Sequence, residues 1–260
     1  MSGHSKWHSI KHKKAAEDSK RGKIFTKHAK LVAIAARGGG DPVMNPALRL
    51  AIDNARAENM PRENIERAIK KGTGEGKDAV VMEEIFYEGF GPGGAALYIE
   101  TLTDNRNRTL TNVKFIFTKN GGNFGSAGTV GYLFKKKGVM RVALEGADGG
   151  AAAGAGAGKT ADEIELAAID AGAEDVINDG ETMTIYTDPT QVMKARAALE
   201  AAGIKVSSAG QTHVPQTTVQ ISDAEVARQL LKIIDLIEQD EDVSEVFSNF
   251  EIAEEIAGEL

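Results

Sequence analysis

Apolar positions along the first 77 residues recur at helical spacing and are punctuated by glycine and proline. Between Ile24 and Arg37, the residues Phe25, Leu31, Val32 and Ala36 share one side, and Gly38-Gly39-Gly40 stops the pattern. Asn45 then reads as an N-cap with Pro46 at the first helical position, opening a helix with Leu48, Ile52 and Ala55 on one face. A third helix follows Pro61 and carries Ile65, Ala68 and Ile69 inward. Lys70 and Lys71 occupy its last turn, where the helix dipole favours cations, and Gly72 reads as its terminator. Three short helices can share one small core, and Gly72-Thr73-Gly74-Glu75-Gly76 reads as the linker that leaves it.

Beyond the linker the period changes to strands alternating with helices. Glu84–Glu88 and Ala95–Thr103 read as paired strands joined by a glycine-rich turn. A helix over Asn107–Lys119 lines up Leu110, Val113 and Phe117, and Val130–Phe134 reads as a further strand. A βαββαβ run follows: strand Val139–Leu144, helix Ala161–Ala171, strands near Asp175–Ile177 and Thr182–Thr187, helix Thr190–Ala202 and strand Ile204–Ser208. Strand Thr217–Ile221, helix Asp223–Glu238 with Val226, Leu230, Ile233 and Ile237 inward, and strand Ser244–Phe250 close the chain.

A βαββαβ unit is the ferredoxin-like arrangement. The middle run makes one copy, and the pieces flanking it make a second copy that the first interrupts. The expected fold class is therefore α+β and multidomain: a basic three-helix domain over residues 1–77, a discontinuous ferredoxin-like α/β domain over 78–134 and 209–260, and an inserted one over 135–208. The stretch 145–159, almost all Gly and Ala, cannot build a core and reads as a loop.

Composition adds one decisive feature. Residues 1–77 carry 17 Lys and Arg against 8 Asp and Glu, a balance of +9; residues 78–260 carry 14 against 30, a balance of −16. The first thirty residues hold nine Lys and Arg, two acids and four of the five histidines. A basic segment on an acidic protein is the electrostatic signature of a phosphate-rich partner. There is no cysteine, which removes disulfides, thiolate metal sites and cysteine nucleophiles. No apolar run approaches the ~18–20 residues of a membrane span, so no membrane partner is expected. The basic start lacks the apolar core of a secretory signal, although basic, acid-poor starts also mark transit peptides; the cytoplasm is the expected location.

Two glycine motifs suggest nucleotide chemistry and fail on context. Gly89, Gly91 and Gly94 fit G-x-G-x-x-G, but a strand follows where the dinucleotide fingerprint needs a helix. The segment AGAGAGKT at 153–160 resembles a phosphate loop, with Lys159 and Thr160 in place, but Ala153 stands at the first glycine position and a loop separates it from the preceding strand. No nucleophile, base and orienting acid present themselves together, and His8 and His12 lack the acid of a metalloenzyme motif. No cofactor, metal or small-molecule substrate is expected. A nucleotide-dependent enzyme using Lys159 is the remote rival.

The basic residues are ordered. In a helix over 19–37, Lys20, Lys23, Lys27 and Lys30 are spaced 3, 4 and 3 apart and form a cationic stripe opposite the apolar side. Such a rail follows a phosphate backbone by charge, without reading bases. Ahead of it lie Lys6, Trp7, His8, Lys11, Lys13 and Lys14, and Arg21 follows Lys20 in the chain as a further candidate contact. Trp7 either stacks on an exposed base or anchors the arm. Arg106 and Arg108 sit where a strand meets a helix N-terminus, either as a second phosphate contact or as partners in a structural ion pair.

MSGHSKWHSIKHKKAAEDSKRGKIFTK at the start, GGGDP at 38–42, NMPRENIERAIKKGTG at 59–74, YEGFGPGG at 87–94 and TDNRNRT at 103–109 closely resemble the YebC family, which includes the mitochondrial translational activator of cytochrome c oxidase. The resemblance runs essentially end to end, departing only in the 145–159 loop. It implies a helical N-terminal domain and two ferredoxin-like domains, the third inserted into the second. It also implies a non-enzymatic nucleic-acid-binding regulator of gene expression. Bacterial members are described as DNA-binding transcriptional regulators, and others look like ribosome-associated translation factors, so the partner is either DNA or the rRNA of a ribosome.

Overall fold

The computed structural model describes residues 17–75, 82–144 and 159–260, with side chains from residue 22 onward apart from Glu259. Three helices open it: α1 (Glu17–Ala36), α2 (Pro46–Ala57) and α3 (Arg62–Thr73). The Asn45 side chain caps α2 by accepting the Leu48 N–H at 3.0 Å, while its amide donates to the Ala35 carbonyl at 2.7 Å. One residue thus starts α2 and fixes it to the end of α1. The reading of Gly72 as terminator is corrected. The helix runs on to Thr73, and Gly74, at φ 77, is the left-handed cap whose N–H turns back to the last turn. Gly72 is instead the point where α3 meets α1, since a Cβ there would collide with the carbonyl oxygen of Ala33.

The strands and later helices are β1 (Glu83–Phe90), β2 (Ala96–Thr103), α4 (Arg106–Lys119), β3 (Asn123–Phe124), β4 (Phe134–Ala143), α5 (Ala161–Asp170), β5 (Asp175–Asn178), β6 (Thr182–Thr187), α6 (Val192–Ala201), β7 (Ser208–Pro215), β8 (Val219–Ile221), α7 (Ala224–Glu238), β9 (Val243–Ser248) and β10 (Phe250–Ile252). They build two four-stranded sheets, ordered β3-β1-β2-β9 and β5-β6-β4-β7, with β8 and β10 as a parallel pair. In the second sheet the strands of the βαββαβ run lie second, third, first, fourth, the ferredoxin-like order, and the run is inserted between the halves of the first. The α+β class with three N-terminal helices stands.

The chain divides into two compact units. One holds the chain up to Ala51 with Met60–Lys135 and Val214–Leu260; the other holds Ile52–Asn59 and Lys136–His213. In the first, β2 is buried or half-buried along its whole length, as a strand covered on both faces must be, and its successive side chains enter opposite cores. Leu97 and Ile99 pack with Val113 and Phe117 of α4 and Leu230 and Ile233 of α7, while Ala96 joins Val130, Phe134 and Phe247, with Tyr98 packed against them. Tyr98 stacks on Phe86 at 4.7 Å between centroids and on Phe134 at 5.6 Å. Phe117, Leu230 and Ile233 are fully buried, each contributing roughly 1.5–3 kcal/mol over exposure.

Two expected strands are corrected. Val130–Phe134 is not a strand: residues Gly131–Leu133 make a 3-10 turn, and β4 begins at Phe134. The cause is Glu88. Its buried carboxylate accepts the N–H groups of Gly128 at 2.8 Å, Val130 at 2.6 Å and Gly131 at 2.8 Å, curling that backbone around one anion. Burial raises the Glu88 pKa, but these hydrogen bonds outweigh it and hold the group below its ordinary value. Ile204–Ser208 is likewise not a strand, because β7 begins only at Ser208. Ile204 and Val206 are buried, so their apolar signal was packing without pairing.

In the second unit, Asn54 meets the backbone of Ala209 as a strand would, donating to its carbonyl at 2.7 Å and accepting its N–H at 3.2 Å. Asp53 pairs there with Arg196 at 3.5 Å.

Candidate nucleic-acid interface

The expected interface residues fall into three sets. Lys6, Trp7, His8, Lys11, Lys13 and Lys14 lie outside the described residues. Lys20 and Arg21 lie on α1, in the part whose side chains are not described. Lys23, Lys27, Lys30, Arg106 and Arg108 can be placed atom by atom.

Helix α1 is continuous through Gly22, as the stripe requires. Its lysines nevertheless have different surroundings. Lys23 is exposed. Lys27 Nζ lies 3.4 Å from Glu245 Oε2, with both side chains about one third exposed, at 35% and 32%. Lys30 is deeper: its Nζ donates to the Glu241 carbonyl at 2.6 Å and to Asp242 Oδ1 at 3.1 Å. The C-terminal half of the stripe is therefore neutralised by carboxylates around β9 of the same unit.

Asp242 is the hub of that arrangement. Its residue is 4% exposed. Oδ2 accepts the Arg108 guanidinium twice, at 3.0 Å from Nε and 2.7 Å from Nη2, and takes the Thr109 hydroxyl at 2.8 Å and the Thr103 hydroxyl at 3.2 Å. Burial alone would raise its pKa, but Arg108, Thr109 and Lys30 together hold it below the ordinary value. Arg108 also reaches Asp104 at 2.9 Å, so the structural ion pair is the arrangement it adopts. A phosphate would compete with the buried Asp242 carboxylate for Lys30, and with the same carboxylate and Asp104 for Arg108, whose side chain is 48% exposed. Arg106 is exposed, and only its backbone carbonyl is engaged, by the Tyr87 hydroxyl at 3.2 Å.

His28 adds no charge to the stripe. It is half-buried, its Nδ1 has no partner, and burial followed by the neighbouring Lys27 lowers its pKa, keeping it neutral at pH 7.

The pattern of apolar residues gave no reason to single out the outer side of α3, yet Arg67, Lys70 and Lys71 are exposed there. Arg67 and Lys71 line a groove of about 340 Å³ together with Phe25, Ala29 and Lys30 of α1 and with Met60 and Met82. Their spacing of 3 and 1 along a helix was the available signal.

The described end of the AGAGAGKT segment is a helix cap. The Thr160 hydroxyl accepts the Glu163 N–H at 3.3 Å, and the Glu163 carboxylate accepts the Thr160 N–H at 2.8 Å. That reciprocal box places a carboxylate at the helix end where a phosphate loop would hold phosphate. Lys159 is half-buried beside it, and residues 145–158 lie outside the described residues. Among the described residues no group of His, Cys, Asp and Glu has the makings of a metal site, and no helix is long and apolar enough to cross a membrane.

Comparison with known proteins agrees along the whole chain. The family model described as the TACO1/YebC protein N-terminal domain matches residues 5–75, and that described as the TACO1/YebC second and third domain matches residues 82–250. A protein of Halothermothrix orenii named "Probable transcriptional regulatory protein" is 50% identical, covering 100% of this chain and 99% of its own length. One of the same name from Geotalea uraniireducens is 52% identical over 98% of both. The crystal structure of a conserved hypothetical protein from Aquifex aeolicus superposes with a TM-score of 0.84 at 44% identity, covering 95% of this chain and 97% of that one. With both parts of the chain matched and half its residues identical to full-length relatives, this chain belongs to the TACO1/YebC family.

Proposed function

We propose that this chain is a non-enzymatic, cytoplasmic regulator of gene expression that binds nucleic acid through its N-terminal basic segment, acting as a DNA-binding transcriptional regulator. The observation that carries the reading is the division of charge, 17 cations against 8 acids over residues 1–77 and 14 against 30 over the remainder. The relatives' shared name supports the regulatory part. The contact surface combines the arm (Lys6, Trp7, His8, Lys11, Lys13, Lys14), the outer part of the stripe (Lys20, Arg21, Lys23) and the exposed Arg67, Lys70 and Lys71. Lys27, Lys30 and Arg108 already hold carboxylates, and they contribute field more than contact.

A second reading is favoured by the −16 of the remaining residues. An acidic body is repelled by a duplex lying along it, whereas a ribosome offers rRNA to a basic segment and basic proteins to acidic ones. In that reading the chain is a ribosome-associated translation factor.

The deciding experiment is sedimentation of the full-length protein with ribosomes at physiological salt, with and without excess duplex DNA. Transcriptional regulation expects duplex to strip the protein from ribosomes and a specific site to be preferred over random sequence by more than ~10³. Persistent co-sedimentation with only non-specific DNA binding establishes the translation reading instead. Loss of both partners overturns nucleic-acid binding altogether.

A further inference from the structure

The acidic part of the chain contains one helix that breaks its own charge rule. Helix α4 carries Arg106, Arg108, Lys114 and Lys119 and no acid at all, although residues 78–260 as a whole hold 30 acids against 14 cations. Thr109, Val113 and Phe117 are its buried side. On the other side Asn107, Thr111, Lys114, Phe115 and Thr118 are all exposed, at i, i+4, i+7, i+8 and i+11, which is one stripe of a helix. Phe115 is 60% exposed in the middle of it. Lys119 Nζ sits 5.9 Å from the Phe115 ring centroid, so a cation already flanks the ring.

We propose that this face of α4 is a stacking site for single-stranded nucleic acid, with Phe115 as the platform for an unpaired base and Lys114 and Lys119 as contacts to the flanking phosphates. The inference rests on the nucleic-acid reading above and adds a second contact site to it. Three observations select the ligand.

An exposed phenyl ring with one lysine cation 5.9 Å from its centroid and a second lysine adjacent in the chain combines a π-face with positive charge, the combination that binds single strands without regard to sequence. A duplex keeps its base faces stacked and presents only phosphates, so the ring has nothing to do there.

Among the described residues no acid pairs with Lys114 or Lys119; the acids that bond to side chains of α4 do so at Arg108, Thr109 and Asn112. Asp104 and Asp242 hold Arg108, and Asp240 accepts the Asn112 side chain at 2.9 Å and the Asp242 N–H at 2.9 Å.

The stripe's hydroxyls are turned onto the helix backbone, Thr111 to the Asn107 carbonyl at 2.7 Å and Thr118 to the Lys114 carbonyl at 2.8 Å. This leaves the ring and the lysines as the groups that face a ligand. An acidic peptide would be attracted by the same lysines, but it gives the flat ring no matching surface.

The test uses the full-length protein and two labelled probes at physiological salt, a single strand of about 12 nucleotides and the duplex of the same sequence. Phe115→Ala is expected to weaken single-strand binding about tenfold and to leave duplex binding within about twofold. Phe115→Trp is expected to keep or tighten it. Lys114→Gln with Lys119→Gln should lower the slope of log affinity against log salt by about 1.4 on the single strand, ~0.7 for each phosphate contact. Because these side chains are exposed, circular dichroism should be unchanged in every variant.

Equal losses on both probes, or none on the single strand, overturn the proposal. If Phe115→Ala is silent while Lys70→Glu with Lys71→Glu abolishes both complexes, the α4 site falls and the broader reading stands. If the parent protein binds neither probe, both fall. Retained oligonucleotide binding with loss of a ribosomal protein from Phe115→Ala identifies the face as a protein contact and also overturns the inference.

Discussion

Lys30 and Asp242 are 212 residues apart in sequence, and their side chains meet at 3.1 Å. Through this pair the first helix is joined to the turn before β9, and through Arg108 and Thr109 the same carboxylate also holds the start of α4. Three segments that share no local signal converge on one anion, which burial would make costly if any partner were withdrawn. The basic helix and the acidic body are therefore complementary within a single unit, so part of the charge imbalance visible in the sequence is already balanced internally.

Replacing Asp242 tests this directly. Asp242→Ala leaves Lys30 and Arg108 without their shared carboxylate and should lower stability by about 2–4 kcal/mol in urea denaturation. The native pKa of Asp242 lies below its unfolded value, so its contribution is complete above the ordinary carboxylate pKa. It is lost as pH falls through the lowered native value. The gap between parent and variant should therefore narrow on acidification; a constant gap down to strongly acidic pH would show that the carboxylate's charge is not what stabilises.

The stripe on α1 should split into two behaviours. Lys23→Glu changes an exposed residue and should alter stability by less than about 0.5 kcal/mol. Lys30→Glu places an anion against Asp242 and the Glu241 carbonyl and should destabilise by several-fold more. Reversing all of Lys23, Lys27 and Lys30 together is consequently a test of folding as much as of binding. Equal thermal shifts for the two single variants would remove the distinction drawn between them.

Most elements were legible because their signals are local. Asn45-Pro46 announces α2, the apolar spacing of Val226, Leu230, Ile233 and Ile237 announces α7, and the run Ala95–Thr103 after a glycine-rich turn announces a strand. The errors arose where a distant group decides. Val130–Phe134 has strand-forming residues, but Glu88 of β1 draws its N–H groups into a turn. Gly72 has the composition of a stop, but it lies inside the helix, where its lack of a side chain lets α3 approach the Ala33 carbonyl of α1. The candidate interface divides in the same way. That Lys20, Lys23, Lys27 and Lys30 share a face follows from spacing. That Lys27 and Lys30 meet Glu245 and Asp242 depends on contacts more than 200 residues away in sequence, which no periodicity reports.

Glu100 supplies a prediction of opposite sign. Burial, opposed by Lys27 and reinforced by Glu245 and Glu84, pushes its pKa up to about 7. A carboxyl with a raised native pKa contributes stability that is full below its unfolded pKa and is lost as pH rises through the native value. Glu100→Gln should accordingly be close to neutral at pH 5 and stabilising by about 1–3 kcal/mol at pH 8, where the parent must ionise a largely buried group. Urea titrations at the two pH values check it. A variant less stable than the parent at pH 8 would mean that attraction between Glu100 and Lys27 outweighs the cost of burying the charge.

Two glycines at the end of α3 look alike in sequence and should respond differently to alanine. At Gly74 the cost is conformational: φ is 77, nothing lies within 4 Å of the added methyl, and the αL strain costs roughly 1–2 kcal/mol. At Gly72 the backbone is helical and alanine is locally favoured by about 1 kcal/mol. Its methyl, however, would strike the Ala33 carbonyl oxygen and approach the Ala36 Cβ to 2.8 Å. Neither neighbour is the end of a flexible side chain, so α1 and α3 must separate, reducing burial of Val32, Ala36 and Ile65 along with them. Gly72→Ala should therefore cost about 1–3 kcal/mol despite the gain in propensity, and it should widen the groove lined by Arg67 and Lys71. Thermal denaturation of the two variants separates the mechanisms. If Gly72→Ala matched or exceeded the parent, propensity would have prevailed and the close approach of the two helices would carry no strain.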